Sequence, residues 1–184
     1  MIETNRLRLT PITLANFDAI LVNDSLRLAN FLKAELASDW LAFDAAREAM
    51  PFAAQYLKDH PESAEWWFYF FIHRANNTLI GMGGFKGTPT QEGVVEIGYS
   101  IAPSFQQQGY ATEATQGLLR FAFASPFVER VDAHTTPNRN NSTNVLQKLG
   151  FVFQKQIIDA EDGLIWHWSL AKADFLDYKL FVDV

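Results

Sequence analysis

Apolar and polar positions alternate with a period of two over several short runs of this chain and shift to a helical period between them. Arg6-Leu7-Arg8-Leu9 alternates and stops at Pro11, which predicts a first strand. Thr13 precedes a periodic run from Leu14 towards Val22 and reads as its N-cap. Asn23 to Leu36 continues as a second short helix. Phe43 to Lys58 carries a broken apolar stripe that Pro51 should kink or divide. Trp66 to Ile72 reads as an aromatic strand, with Trp66 and Trp67 divided between core and surface by alternation. Asn76-Asn77 turns it into a second strand, Thr78 to Phe85. Gly81, Gly83 and Gly84 mark a bulge or a close backbone approach there; without a following helix they are no dinucleotide loop.

After a loop from Gly87 to Gly93, Val94 to Ala102 forms the next strand, and Gly109 to Ala124 a helix ended by Pro126. Val128 to Thr135 returns as a strand. Asn141 or Ser142 caps a helix that stops at Gly150. Phe151 to Ile158 and Leu164 to Leu170 close the chain as a hairpin turned at Asp162-Gly163. Beyond Ala171 the pattern is ambiguous. The order β-α-α-β-β-β-α-β-α-β-β predicts an α+β fold, and 184 residues suit one domain, 1–184.

Composition narrows the class. The net charge of −6 argues against a nucleic-acid surface and favours a cationic partner. Zero cysteines exclude disulfides and thiolate chemistry. No run approaches the ~20 apolar residues of a membrane span, and the opening MIETNRLRLTPIT has no signal-peptide core. The expectation is a cytoplasmic protein without a membrane partner. His60, His73 and His167 show no metal-ligand spacing, so no metal site is expected.

The richest stretch is Val94 to Ala114, VVEIGYSIAPSFQQQGYATEA. A strand runs into a Gln-rich loop with one glycine and then into a helix. Backbone N–H groups at such a helix N-terminus favour a phosphate or pyrophosphate. Gly109 supplies the backbone freedom and the missing side chain that close approach requires. Glu113, in the first helical turn, suits the helix dipole with or without a ligand.

These residues resemble the acyl-CoA site of the GCN5-related N-acetyltransferases (GNAT), in particular the ribosomal-protein alanine/serine N-acetyltransferase branch. That family carries Gln/Arg-x-x-Gly-x-Gly/Ala after its fourth strand, and Gln106, Gly109 and Ala111 fill those positions. Glu96-Ile97-Gly98-Tyr99 and Thr112-Glu113-Ala114 match the same branch. The resemblance covers most of the chain and is weakest between Asn23 and Ser63. It implies a single GNAT-fold domain with a mixed central sheet flanked by helices. The cofactor half would span about 78–158 and the acceptor-side helices about 13–60. It also implies acetyl-CoA as cosubstrate, bound by Gln106, Gln107, Gln108, Gly109, Tyr110, Ala111 and Thr112, with Tyr99, Ser100 and Ile101 pairing with the pantetheine like an added strand.

Asn141 to Phe151, NSTNVLQKLGF, resembles the family's fourth-helix signature at Ser142, Val145, Leu146, Lys148, Leu149, Gly150 and Phe151. The expected asparagine is replaced by Arg139, so Asn138 or Asn140 would touch the pantetheine arm instead. Ser142 is equally readable as a helix cap and as a ligand contact. Many relatives place a proton-donating tyrosine where this chain has Leu146. Ser142 or a water would then protonate the leaving sulfur. Glu96 is the first candidate for the base, and an ordinary ion pair is its competing reading. His134 reads as structural or substrate-lining, and Tyr99 as core or pocket wall.

The resemblance therefore implies direct acetyl transfer to a primary amine, above all the N-terminal α-amine of a protein such as a ribosomal protein. A small-amine acetyltransferase for a polyamine, amino sugar or drug is the alternative, and a non-catalytic acyl-CoA-binding module the second. Asp159, Glu161 and Asp162 would attract either a basic peptide or a polyamine. The aromatic-rich strands are compatible with a homodimer.

Overall fold

The structure is a computed structural model that describes residues 1–160 and 163–175, with Ala45 described by its backbone alone. Among these residues the chain runs β1 (Ile2–Glu3), β2 (Leu7–Pro11), α1 (Leu14–Leu21), α2 (Ser25–Leu32), β3 (Glu35–Leu36), α3 (Asp44–Glu48), α4 (Met50–Asp59), β4 (Phe68–His73), β5 (Thr78–Phe85), β6 (Val94–Ile101), α5 (Tyr110–Ala124), β7 (Arg130–Thr135), α6 (Asn141–Lys148), β8 (Val152–Asp159) and β9 (Gly163–Ala171). The strands form one mixed sheet in the order β1-β2-β4-β5-β6-β7-β9-β8, with β3 beside β5. The β6/β7 and β3/β5 pairs are parallel; the others are antiparallel.

Period-two alternation divides the strand residues between two cores. Leu7, Leu9, Tyr69, Phe71, Val95, Ile97, Val131 and Ala133 face α5 and α6, where Ala114, Leu118, Leu119 and Ala122 are fully buried. Phe70, Ile72, Leu79 and Met82 face α1, α2 and α4, against Phe17, Leu28, Met50 and Leu57. Filling each buried aliphatic position stabilises by roughly 1.5–3 kcal/mol, so both faces of this half of the sheet must stay covered. That overturns the expected division of the two tryptophans. Trp67 is buried and donates its indole N–H to Ala53 O at 3.1 Å; Trp66 packs half-buried on the other face, 5.1 Å from Phe121. Neither lies in the strand expected from Trp66: Trp66 ends a 3-10 turn, Pro61–Trp66, and β4 begins at Phe68.

Local chemistry explains the element ends. Thr13 caps α1 in a capping box with Asn16, and Asp24 caps α2 by accepting from Arg27 N–H. Lys33 ends α2 in the left-handed region, sending 35–36 alongside β5 as a strand where helix was expected. The Phe43–Lys58 stretch is divided, one of the two expected outcomes, into α3 and α4; Pro51 sits in the first turn of α4, where its missing N–H has no partner to lose. Gly81, Gly83 and Gly84 combine both expected roles. The β4/β5 register shifts at Phe71/Ile72, and a Cβ on Gly83 would lie 2.5 Å from Gly98 O. The cap of α6 is Asn140, one residue before the expected pair: its side chain accepts from Thr143 N–H at 3.0 Å, and Thr143 Oγ1 accepts from Asn140 N–H. Gly163 of the expected turn begins β9, while its neighbour Asp162, the acidic Glu161 before it and the tail after residue 175 lie outside the described residues.

Candidate active site

The parallel strands β6 and β7 pair only from Val94↔Arg130 to Ile97↔Ala133. Past that point β6 stays with β5 through Ile101, and β7 stays with β9 through Thr135. The sheet therefore splits, leaving one edge of Gly98–Ile101 without a strand partner. Such an edge offers N–H and C=O groups to an extended ligand. A Cβ built on Gly98 would meet nothing within 4 Å, so space stands open at the split.

At the end of β6 the chain makes a short 3-10 turn, Pro103–Phe105, before the Gln-rich loop. Asp39 caps that turn from a distance, accepting from Ser104 N–H and Oγ at 2.8 Å each. The bond from Ser104 N–H holds the Asp39 carboxyl below its usual range. Gln107 (φ 59°) and Gly109 (φ 83°) both lie in the left-handed region, a curl that turns successive N–H groups to one side. Helix α5 then starts without a side-chain cap, unlike α1, α2 and α6. The first of its N–H groups to meet a protein acceptor is that of Glu113, bonded to Gly109 O at 3.0 Å. The loop and first-turn amides are thus left for a ligand, and an anion suits both their geometry and the helix dipole.

Other residues hold this loop in place. Glu113 accepts from Thr4 Oγ1, Arg6 N–H and Arg6 Nε, and Arg6 Nη1 donates to Gln108 O at 3.0 Å. The Arg6 guanidinium lies 4.4 Å from the Tyr110 ring centroid. Tyr110 Oη is 3.1 Å from His73 Nε2. Glu113, Gln108 and Tyr110 were singled out in the sequence, but Thr4 and Arg6 were not linked to them, because those partners lie about a hundred residues away.

A cavity of about 560 Å³ opens beside the uncapped helix end. Tyr99, Ser100, Ile101, Gln106, Gln107, Gly109, Tyr110, Ala111 and Thr112 line it, as does Ser142. Gln108 does not; its amide turns to Ser104 O. Asn138 and Asn140 also stand outside the lining. Asn140 Nδ2 donates to Asn138 Oδ1 at 3.1 Å, and its Oδ1 is spent on the cap. The α6 face 141, 142, 144, 145 and 148 takes their place, adding Asn141, Asn144, Val145 and Lys148. That i, i+3, i+4, i+7 spacing was present in the sequence. Phe43, just before α3, and Ala46 within it also line the cavity and had no signal of their own.

Tyr99 points into the α5/α6 side, and its hydroxyl donates to Ser142 O at 3.3 Å. Burial pushes its phenol up, so it is a neutral donor. Leu146 is buried in the core, away from any proton-transfer role. Glu96 is not in the cavity wall. It lies on the opposite face of the split, where its Oε1 accepts from both Lys86 Nζ and His134 Nδ1, the latter at 3.0 Å. His134 stacks on His167, with centroids 5.1 Å apart, and His167 Nε2 is 2.9 Å from Asp132 Oδ2. Asp132 also accepts from Arg130 Nε and Ser169 Oγ.

Residues 6–152 match the family model described as an acetyltransferase (GNAT) domain. The chain is 29% identical over 168 residues to an uncharacterised N-acetyltransferase, YjdG, of Bacillus subtilis, covering 91% of this chain and 96% of that protein. It superposes on the ribosomal L7/L12 α-N-protein acetyltransferase RimL in complex with coenzyme A, with a TM-score of 0.64, 16% identity and coverage of 91% of this chain and 95% of that one. Mutant forms of the spermidine/spermine N-acetyltransferase SpeG of Vibrio cholerae superpose with a TM-score of 0.67 at 14% identity, covering 96% of this chain and 99% of theirs.

Proposed function

Because this chain belongs to the GNAT acetyltransferase family, whose cosubstrate is acetyl-CoA, we propose that it transfers acetyl directly to the N-terminal α-amine of a protein. The observation that carries acyl-CoA binding is the uncapped N-terminus of α5 in the wall of the cavity beside the split strands. The loop and first-turn amides would take the pyrophosphate, and the free edge of Gly98–Ile101 would pair with the pantetheine amides. A backbone N–H of that edge would also polarise the thioester carbonyl. Among the described residues the cavity wall contributes one cation, Lys148, for a phosphate. Without a cysteine, no acyl-enzyme on sulfur can form, so the amine attacks the thioester itself. Ser142 lines the cavity and is our candidate to protonate the departing thiolate.

The α-amine reading rests on charge. An α-amine has a reference pKa near ~8 against ~10.4 for a lysine side chain, so at neutral pH it needs only modest help to lose its proton. On the face opposite the α5 core, Glu96 is balanced by Lys86, and Asp132 by Arg130. Such a face leaves little uncompensated negative charge to gather a polycation. Of the acidic hairpin residues expected to attract one, Asp159 ends β8, and Glu161 and Asp162 lie outside the described residues. The superposition on SpeG keeps a small-amine acceptor as the second reading. The compartment we propose is the cytoplasm; among the described residues no helix is long and apolar enough to cross a membrane.

Release of CoA thiol from acetyl-CoA tests the proposal with two acceptor panels. One holds peptides with free Ser, Ala or Thr N-termini; the other holds polyamines, amino sugars and free amino acids. Turnover on the peptides that disappears on N-terminal blocking supports the α-amine. Turnover confined to the second panel establishes the small-amine reading. Silence on both, with acetyl-CoA still bound, supports a binding module.

A further inference from the structure

His134 is the first β7 residue beyond the last β6/β7 pair, so it stands where the sheet splits. Its register partners place it on the face of Glu96 and Asp132, the face on which Gly98 leaves open space. The carboxylate of Glu96 can only accept, so the 3.0 Å contact fixes the proton of a neutral His134 on Nδ1. Nε2 is then the bare nitrogen, and among the described residues no protein group hydrogen-bonds it. His167 stacks against the ring and is itself anchored to Asp132, so the direction of that bare nitrogen is held from two sides. Glu96 is placed differently: Lys86 and His134 already donate to the same oxygen.

We propose that His134, through Nε2, is the group that takes the proton from the acceptor amine, and that Glu96 is its positioning residue. This rests on the acetyltransferase reading and replaces direct proton transfer to Glu96. The acceptor ammonium gives a proton to Nε2 and becomes a neutral amine. Its lone pair forms the C–N bond at the thioester carbonyl carbon, and the C–S bond breaks with its electron pair on sulfur. The nitrogen's second proton reaches the sulfur, yielding amide and free thiol, and His134 releases its proton to solvent. The charged and titratable groups facing His134 are Glu96 on β6, Lys86 after β5, Arg130 and Asp132 on β7, His167 on β9 and Lys155 on β8 opposite it.

His134→Asn separates the roles, because its amide can still donate to Glu96 but offers no Nε2. Expected is a ~10²-fold or larger fall in kcat on whichever panel acceptor turns over, with KM for acetyl-CoA within about twofold and the acid limb of the kcat/KM profile lost. Glu96→Gln should reduce kcat about tenfold and keep an acid limb, since the imidazole remains. Unchanged kcat and acid limb in His134→Asn overturn the proposal, as does an acid limb that vanishes only in Glu96→Gln. Should His134→Asn not fold, His134→Gln takes its place. A second measurement needs no acceptor: imidazole nitrogen NMR of the acetyl-CoA-bound wild-type protein, assigned by the variant. The Nδ1–H tautomer with bare Nε2 supports the proposal, and the Nε2–H tautomer overturns it. Absence of any turnover counts against the enzyme reading of the preceding section and leaves this tautomer to decide the placement of the base.

Discussion

Glu113 accepts two hydrogen bonds from Arg6, one from its backbone N–H and one from Nε, each 2.6 Å. Residues more than a hundred positions apart thereby fasten the start of β2 to the first turn of α5. Burial opposes the Glu113 charge, but hydrogen bonds from Thr4 and Arg6 and the Arg6 charge outweigh it and hold the carboxyl below its usual range. A depressed carboxyl contributes stability above its unfolded value, here 4.5, and loses it as pH falls through the folded value. Urea midpoints of the wild type should therefore drop below about pH 4.5 more steeply than those of Glu113→Gln. Parallel curves would mean that the bond carries no acid sensitivity.

Gly109 should resist substitution in the binding of acetyl-CoA. At φ 83° an alanine is strained by roughly 1–2 kcal/mol, and its Cβ would come within 3.4 Å of Arg6 Nη2. Gly109→Ala should lower the melting temperature by several degrees and weaken acetyl-CoA binding about tenfold or more by calorimetry. Wild-type affinity would show that the loop does not hold the pyrophosphate.

The space beside Gly98 should matter only to ligands. An added methyl meets nothing within 4 Å, so Gly98→Ala should alter stability by less than about 0.5 kcal/mol. Gly98→Val should fold as well but cut turnover at least tenfold by filling the split. A melting curve beside a thiol-release assay separates the two effects.

Lys148 on the cavity wall should pair with a phosphate. Lys148→Ala is expected to weaken acetyl-CoA by roughly 1 kcal/mol, about fivefold, at low salt. The difference should shrink in molar salt, where the Debye length is about 3 Å. A salt-independent loss would point to packing of the alkyl stem instead.

The chain by itself determined most of the elements and the glycine-bearing loop before α5, because both are written locally. Strand alternation, the Thr13 cap and Gly109 act within a few residues, and the Gln106–Thr112 run is contiguous. Even so, local reading placed the α6 cap one residue late, since Asn140, Asn141 and Ser142 are all good caps and only the reciprocal bonds with Thr143 select among them. Tertiary structure decided the rest of the site. Pairing of β6 with β7 ends after Ile97, and that break puts His134 at the split, while Glu96, still within the paired stretch, stands against Lys86 and His134. Arg6 braces the loop from the far end of the chain, and Phe43 and Ala46 wall the cavity from the region with the weakest motifs. A carboxylate in a strand pattern reads the same whether it faces water, a lysine or an imidazole. Only the register of neighbouring strands, fixed by burial on both faces of the sheet, makes that choice.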